Sequence, residues 1–266
     1  MKVTIAGCGN MGLIYARAFR KYEVVSRENL FMAEKSYSRM EELKKLDMGQ
    51  VVLNNDPVIG SSDLVILSVK PQDFGTLASG LKPVLNSKNT ILSIMAGMKI
   101  ERIEAALGQP CIIRAMPNSP AELGMGMTAF TAAAGVPVQQ LRMAENLLST
   151  TGRTVFFEKE DLLDAVTALS GSGPAYFFYI VKNMIEAGKK MGFDEATAAM
   201  LVKQTMVGSY HLVNNASRSL DDLIKAVASK GGTTEAAFTV FREKEVGEHL
   251  QEGILRARDR ATELSS

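Results

Sequence analysis

The sequence predicts an α/β fold: a doubly wound, mostly parallel sheet followed by an all-α C-terminal domain. Three observations carry this. Short apolar, β-rich runs alternate with helical periods from Val3 to Phe157, the spacing of βαβ units. The run Leu64-Val-Ile-Leu67, at the heart of 62–69, is apolar throughout, as a parallel strand covered on both faces requires. After Glu158-Lys-Glu-Asp161 strand patterns stop and helical periods continue to the end. The boundary is therefore expected near Glu160, dividing the chain into 1–159 and 160–266.

The first strand is expected over 3–6. Gly7, Gly9 and Gly12 follow it in the spacing G-x-G-x-x-G, and a helical period begins with Leu13 and Ala16. Strand, tight glycine turn and helix in this order mark a Rossmann-type dinucleotide loop. Gly7 makes the turn, Gly9 admits a pyrophosphate to the backbone, and Gly12 lets the helix (13–22) pack on the strand. Free N–H groups and the dipole at the helix start would face the phosphates.

The second strand, 29–33, ends at Glu34. A carboxylate at this tip can bond the adenosine ribose hydroxyls and repel a 2′-phosphate. Lys35 and Arg39 beside it would attract one, so NAD and NADP both stay open. The residues also suit a solvated strand–helix junction. A polar helix over 36–46 and a third strand over 50–53 follow, then the turn Asn54-Asn-Asp-Pro57. The strand over 62–69 stops at Lys70-Pro71, because proline cannot donate to a ladder. Lys70 thus stands at the carboxyl edge of the sheet, where ligands of open α/β sheets lie.

A helix over 74–85 leads to a strand over 90–95 with Ala96-Gly97 at its tip, small enough to let a flat nicotinamide ring lie close. A helix over 100–107, a strand over 110–116, a small-residue strand over 124–134, a helix over 141–150 and a strand over 154–157 complete the sheet. Arg114-Ala-Met-Pro-Asn-Ser-Pro120 is an edge loop stiffened by two prolines. Asn118 offers an amide there, suited either to the wall of a nicotinamide pocket or to capping a rigid turn.

Composition excludes several classes. The chain has 266 residues, 46% of them hydrophobic, and a net charge of +1, so a sizeable core is available and neither nucleic acid nor an anionic membrane is favoured as partner. No apolar run approaches the roughly 20 residues needed to cross a bilayer. Met1 leads directly into a strand, leaving no room for a signal peptide. Cys8 and Cys111, the only cysteines, form no metal-spaced pair. A soluble protein of the reducing cytoplasm, without a metal, is expected. Fifteen methionines, Met184, Met191, Met200 and Met206 among them, suit adaptable packing.

In the second half a helix over 162–169 is interrupted by Ser170-Gly-Ser-Gly-Pro174. Helices over 175–191, ending at Gly192, and over 194–213 follow. They are apolar over much of their circumference and must be buried. A domain of about a hundred residues cannot hide them all, so a second copy of the chain is expected to cover them. Ser229, Thr233 and Thr234 surround Gly231-Gly232 just before another helix. Backbone N–H groups and hydroxyls there suit a carboxylate cradle, or an ordinary N-cap from Thr233 or Thr234. A final amphipathic helix carries Val246, Leu250, Ile254 and Ala257. His211 and His249 are isolated and read as structural, and Tyr176 and Lys182 read as packing.

Four motifs occur in one order and spacing: the glycine loop, Val69-Lys-Pro71, Ala168-Leu-Ser-Gly-Ser-Gly-Pro-Ala-Tyr176 and Ser229-Lys-Gly-Gly-Thr-Thr234. Together they resemble the pyrroline-5-carboxylate reductase family over nearly the whole chain. The resemblance implies a helical C-terminal domain that forms an intertwined dimer, often assembled further into a ring, and NADP(H) or NAD(H) as cofactor, usually NADPH. It implies hydride transfer to the C=N carbon of 1-pyrroline-5-carboxylate, giving L-proline. It casts Gly7, Cys8, Gly9, Asn10, Met11 and Gly12 as the pyrophosphate loop and Asn55 as an adenosine contact. Ser68, Val69, Lys70, Pro71 and Ala96 would lie near ribose and nicotinamide. Ser229, Gly232, Thr233 and Thr234 would hold the substrate carboxylate and ring nitrogen. Two residues depart from the family pattern: Glu34 stands where many NADPH-using members keep a small hydroxyl residue, and Ser217 where many keep a glutamate. No histidine, aspartate or lysine announces itself as the acid, and Thr234 is the candidate to orient the imine and relay a proton.

Two rivals are weighed. A β-hydroxyacid dehydrogenase would show a lysine four residues after its helix glycine, but Phe177 follows Gly173 at that spacing. An inactive dinucleotide-binding regulator on the same scaffold should have lost the hydroxyls of the substrate loop, and all three are present.

Overall fold

The computed structural model describes residues 1–265. By its internal contacts the chain divides into two compact units. The first comprises Met1–Ser172 together with the chain from Ala257, and the second is Gly173–Arg256. Residue 160, where strand patterns give way to helices, lies inside the first unit.

The first unit is built on one eight-stranded sheet: β1 (Val3–Ala6), β2 (Leu30–Glu34), β3 (Gln50–Leu53), β4 (Leu64–Leu67), β5 (Thr90–Ser93), β6 (Ile112–Met116), β7 (Gly126–Ala132) and β8 (Gly152–Phe156). Their order is β3-β2-β1-β4-β5-β6-β7-β8. Pairing is parallel except between β6 and β7. The chain winds outward from β1 to β3 and then crosses to β4 on the other side. The crevice between β1 and β4 is therefore the switch point at which open α/β sheets bind ligands.

Alternation along each strand fills both faces. Leu64 and Ile66 join Val3, Ile5, Leu30 and Met32 in one core, capped by Tyr15, Ala16 and Phe19 of α1 (Asn10–Lys21) and by Ala144, Leu147 and Leu148 of α5 (Val138–Leu148). Val65 and Leu67 join Ala6, Ala33 and Ile91 in the other. That face is covered by Phe74, Leu77 and Leu81 of α3 (Phe74–Leu81) and by Ile100, Ile103 and Leu107 of α4 (Ile100–Leu107). The polar helix α2 (Tyr37–Lys44) buries only Met40 and Leu43.

Several expected bounds shift for identifiable reasons. α1 starts at Asn10, because Gly9 is its N-cap, so the last glycine of the loop is already helical. α3 stops at Leu81, one residue before the Lys82-Pro83 step that disfavours helix. β7 starts at Gly126, since Gly124 closes the preceding 3₁₀ turn at φ 71°. The helix expected over 162–169 is α6 (Leu162–Val166) followed by a π-turn, Thr167–Gly171.

A buried ion cluster ties this region down. Arg114, 2% exposed in its side chain, donates to Glu160 Oε1 and to Asp164 Oδ1, each at 2.9 Å. Glu160 also accepts the Ile100 N–H, and Asp164 accepts the Ser265 hydroxyl at 3.0 Å. Ser265 ends α11 (Val246–Ser265). Leu264 of the same turn lies against Gly97, where a Cβ would come within 3.1 Å of the Leu264 Cβ. The small residue expected to admit a nicotinamide ring therefore accommodates this helix turn.

The second unit contains α7 (Gly173–Lys190), α8 (Glu195–Asn215), α9 (Leu220–Val227), α10 (Thr233–Glu243) and the first part of α11. Gly192 at φ 98° turns the chain after α7, and Asp194 caps α8 by accepting the Thr197 N–H at 2.9 Å. α7 and α8 approach closely at Gly188, where a Cβ would meet Ala198 at 2.9 Å. Helix α9 was not expected from the sequence; Ser219 caps it through the Asp222 N–H. Phe177, Phe178, Tyr179, Met200, Tyr210 and Leu212 are exposed, several by more than 60%. No helix among the described residues is long and apolar enough to cross a membrane.

Candidate functional site

The carboxyl edge of the parallel strands gathers most of the residues picked out in the first half. Gly7 follows β1 at φ 95°, its N–H donating to the Ala33 carbonyl at 3.1 Å. A Cβ there would come within 2.5 Å of Val69 Cγ1 and 2.9 Å of the Ser68 backbone. At Gly12 a Cβ would collide with the Gly7 carbonyl oxygen and press on Ile5. At Gly9, by contrast, nothing lies within 4 Å. Two glycines are thus required by the protein's own packing, while the third leaves open space beside the start of α1. That helix start carries no side-chain cap and no acidic residue in its first turn. An uncapped, acid-free helix start next to open backbone fits a pyrophosphate.

Cys8 and Asn10 complete the loop with Met11. The Cys8 thiol is buried and its pKa is pushed up to about 12, first by burial and then by the Glu34 carboxylate, against a lowering by Arg39. It is an inert packing group.

On the adenosine side, Glu34 ends β2 and is half-buried. Its Oε1 accepts the Lys35 N–H at 2.8 Å. The Lys35 ammonium turns to Asp73 at 3.0 Å. Arg39 reaches across to the glycine loop, donating to the Cys8 carbonyl at 3.2 Å while pairing with Glu42. Asn55 is exposed just beyond β3.

On the nicotinamide side, the half-buried Ser68 and Val69 follow β4, with Ser68 N–H on the Ala6 carbonyl at 2.9 Å. Lys70 and Pro71 are exposed beyond them, and Ala96 sits past β5. The Asn118 amide is engaged within the protein. Its Nδ2 donates to the Ser170 carbonyl and hydroxyl, both at 3.2 Å, and its Oδ1 accepts the Met127 N–H at 2.8 Å. Asn118 thereby clamps the loop after β6 to β7 and to the π-turn. Gly171 of that turn abuts the Met116 side chain, where a Cβ would come within 2.5 Å.

In the second unit, Ser229, Gly231, Gly232, Thr233 and Thr234 form the link from α9 to α10. Gly231 has φ 73°. The Gly232 N–H donates to the Ser229 carbonyl at 3.0 Å, and a Cβ on Gly232 would strike Ser229 Oγ at 2.6 Å. The N-cap is Gly232, with no side-chain bond, so Thr233 and Thr234 are the first two helical residues. Their hydroxyls are accordingly not used as caps, in contrast to the capping alternative read from the sequence. Glu235 holds the loop instead, its carboxylate accepting the Gly231 N–H.

The roles of five residues were missed. Arg114 was visible as a lone charge in an apolar strand, and Glu160 and Asp164 as acids at helical spacing. Glu235 was visible as an acid at the third helical position, where capping boxes place one. Ser170 as the partner of Asn118 has no sequence signal, because the two meet only through the fold.

Comparison with known proteins finds likeness in both halves of the chain. Residues 160–264 match the family model for pyrroline-5-carboxylate reductase dimerisation, and residues 2–97 match NADP oxidoreductase, coenzyme F420-dependent. A pyrroline-5-carboxylate reductase of Pseudomonas aeruginosa is 38% identical over 81% of this chain and 79% of its own. One from Aquifex aeolicus is 34% identical over 99% of this chain and 97% of its own. The crystal structure of Plasmodium falciparum pyrroline carboxylate reductase with NADP bound superposes with a TM-score of 0.90 at 25% identity, covering 100% of this chain and 98% of that one. Conserved likeness across both halves places the chain: it belongs to the pyrroline-5-carboxylate reductase family.

Proposed function

We propose that this chain reduces the C=N bond of 1-pyrroline-5-carboxylate to give L-proline, using NADPH or NADH. The observation that carries the reading is the sequence shared with pyrroline-5-carboxylate reductases over both halves of the chain. The open backbone at Gly9 beside an uncapped helix start supports the cofactor.

A nicotinamide cofactor, when bound, supplies the hydride. Gly7, Cys8, Gly9, Asn10, Met11 and Gly12 would hold its pyrophosphate, with Glu34, Lys35 and Asn55 toward the adenosine. Ser68, Val69, Lys70, Pro71 and Ala96 would line the other end, and Asn118 would fix its wall. The loop of Ser229, Gly231, Gly232 and Thr233 would take the substrate carboxylate on N–H groups and hydroxyls. Thr234 would bond the ring nitrogen and relay a proton to it from water, because a protonated imine accepts hydride far more readily. A hydroxyl of ordinary acidity is a weak acid, so positioning carries much of the rate.

In this reading 1–159 binds the dinucleotide and 160–266 serves dimerisation and substrate, Ser266 lying outside the described residues. The dimerisation match over 160–264 supports this division. The chain acts as a homodimer in the cytoplasm, in line with two free cysteines, and its partner molecules are its substrate and itself.

Proline-dependent reduction of NAD+ and NADP+ at high pH tests the activity, and its absence with both sinks the reading. Thr234→Ala should lower kcat by about a hundredfold or more while leaving cofactor affinity nearly intact. Unchanged turnover removes Thr234 from the mechanism.

A further inference from the structure

We propose that the adenosine end of the cofactor crevice selects NADH over NADPH, with Glu34 as the selecting residue. This rests on the reading that the chain takes a nicotinamide dinucleotide.

Glu34 is the last residue of β2, immediately after Ala33, whose carbonyl receives the Gly7 N–H of the glycine loop. The two hydroxyls of the adenosine ribose in NADH can donate, and a carboxylate is an acceptor-only group able to take both. A 2′-phosphate has no comparable donor and carries about −1.5 to −2 charges.

The cations nearest such a phosphate are already engaged. The first backbone donor beyond the strand, the Lys35 N–H, is bonded to the Glu34 carboxylate itself. The Lys35 ammonium is held by Asp73. The Arg39 guanidinium is shared between Glu42 and the Cys8 carbonyl. Three acids (Glu34, Asp73, Glu42) thus stand against two bases (Lys35, Arg39) around one strand tip. Among the described residues Glu34 has no ion pair, so it is the surplus charge. The Cys8 thiol, in the loop itself, feels the raising effect of Glu34 more than the lowering effect of Arg39. A phosphate placed here would meet the unpaired Glu34 carboxylate and would have to recruit Arg39 away from Glu42. Arg39 is the cation best placed for this, because it already reaches the loop.

The test is direct binding to the full-length protein. Dissociation constants for NADH and NADPH are measured by reduced-nicotinamide fluorescence anisotropy, with displacement by 5′-ADP and by 2′,5′-ADP. The wild type should bind NADH at least about tenfold more tightly than NADPH. Glu34→Ser should invert this preference, weakening NADH and strengthening NADPH and 2′,5′-ADP. Glu34→Gln, which keeps the side-chain shape, should narrow the ratio by removing the charge alone. Adding Arg39→Ala to Glu34→Ser should abolish the gain for NADPH. Wild-type affinity for NADPH equal to or above that for NADH overturns the proposal, as does an unchanged ratio in both Glu34 variants. Failure of both dinucleotides to bind overturns the parent reading with it, whereas binding of both without the stated shifts overturns the selection alone.

Discussion

At Gly9 a Cβ would meet nothing within 4 Å, while at Gly12 it would run into the Gly7 carbonyl oxygen. The same substitution at the two positions should therefore fail differently. Gly9 already has a backbone conformation open to any residue, φ −76° and ψ −163°, so Gly9→Ala should melt within about 2 °C of the wild type. Its methyl would stand where the pyrophosphate must approach, and calorimetric affinity for the reduced cofactor should fall about tenfold or more. Gly12→Ala should instead lose about 2 kcal/mol or more in denaturant titration, since backbone must shift to admit the methyl. If Gly9→Ala binds cofactor normally, the open space beside α1 is not a phosphate cradle. Sequence spacing already gave Gly9 to pyrophosphate approach and Gly12 to helix packing. What it could not name were the neighbours, Ile5 of β1 and Ser68 after β4, which appear only once the sheet is assembled. Asn118 shows the same limit. Its amide reads as suited either to a pocket wall or to capping a rigid turn until Ser170 and Met127 are seen to occupy it.

Among elements, the strands were the most legible, since parallel strands covered on both faces are continuous apolar runs. Their order, and with it the switch point between β1 and β4, came only with the assembled sheet. What escaped were short local features. The π-turn after α6 bonds Ser172 N–H to the Thr167 carbonyl, and α9 went unread although Ser219, Asp221 and Asp222 open it and Leu220, Leu223, Ile224 and Val227 stand at helical spacing. The ion cluster on β6 escaped for a related reason: its members come from β6, the link after β8, α6, α4 and the last turn of α11. Removing one member should be costly, because Asp164 would keep a buried charge without its cation. Arg114→Met should lower unfolding free energy by about 3–5 kcal/mol at fixed protein concentration. Arg114→Met combined with Asp164→Leu should recover most of that loss, since an apolar pair of similar volume avoids the uncompensated charge. A double variant no more stable than the single one would show that the cluster stabilises through more than charge balance.

For the whole molecule, the second unit exposes aromatic and aliphatic side chains on α7 and α8 far beyond scattered surface residues. Contiguous apolar surface of this kind marks an interface, and the dimerisation match covers the same helices. Light scattering at micromolar concentration should give at least a dimer. Phe178→Glu, at a position 68% exposed in the single chain, should shift the mass toward the monomer and reduce solubility. An unchanged mass would place the interface elsewhere.

The return of the chain to the first unit at Ala257 bears on how the protein is made. A ribosome completes β1 to β8 long before it has translated Leu264 and Ser265, and all of Gly173–Arg256 must emerge in between. Until then Gly97 is bare and Asp164 lacks its hydroxyl donor. The strands themselves are all available early, but these two contacts can form only after the whole second unit has been translated.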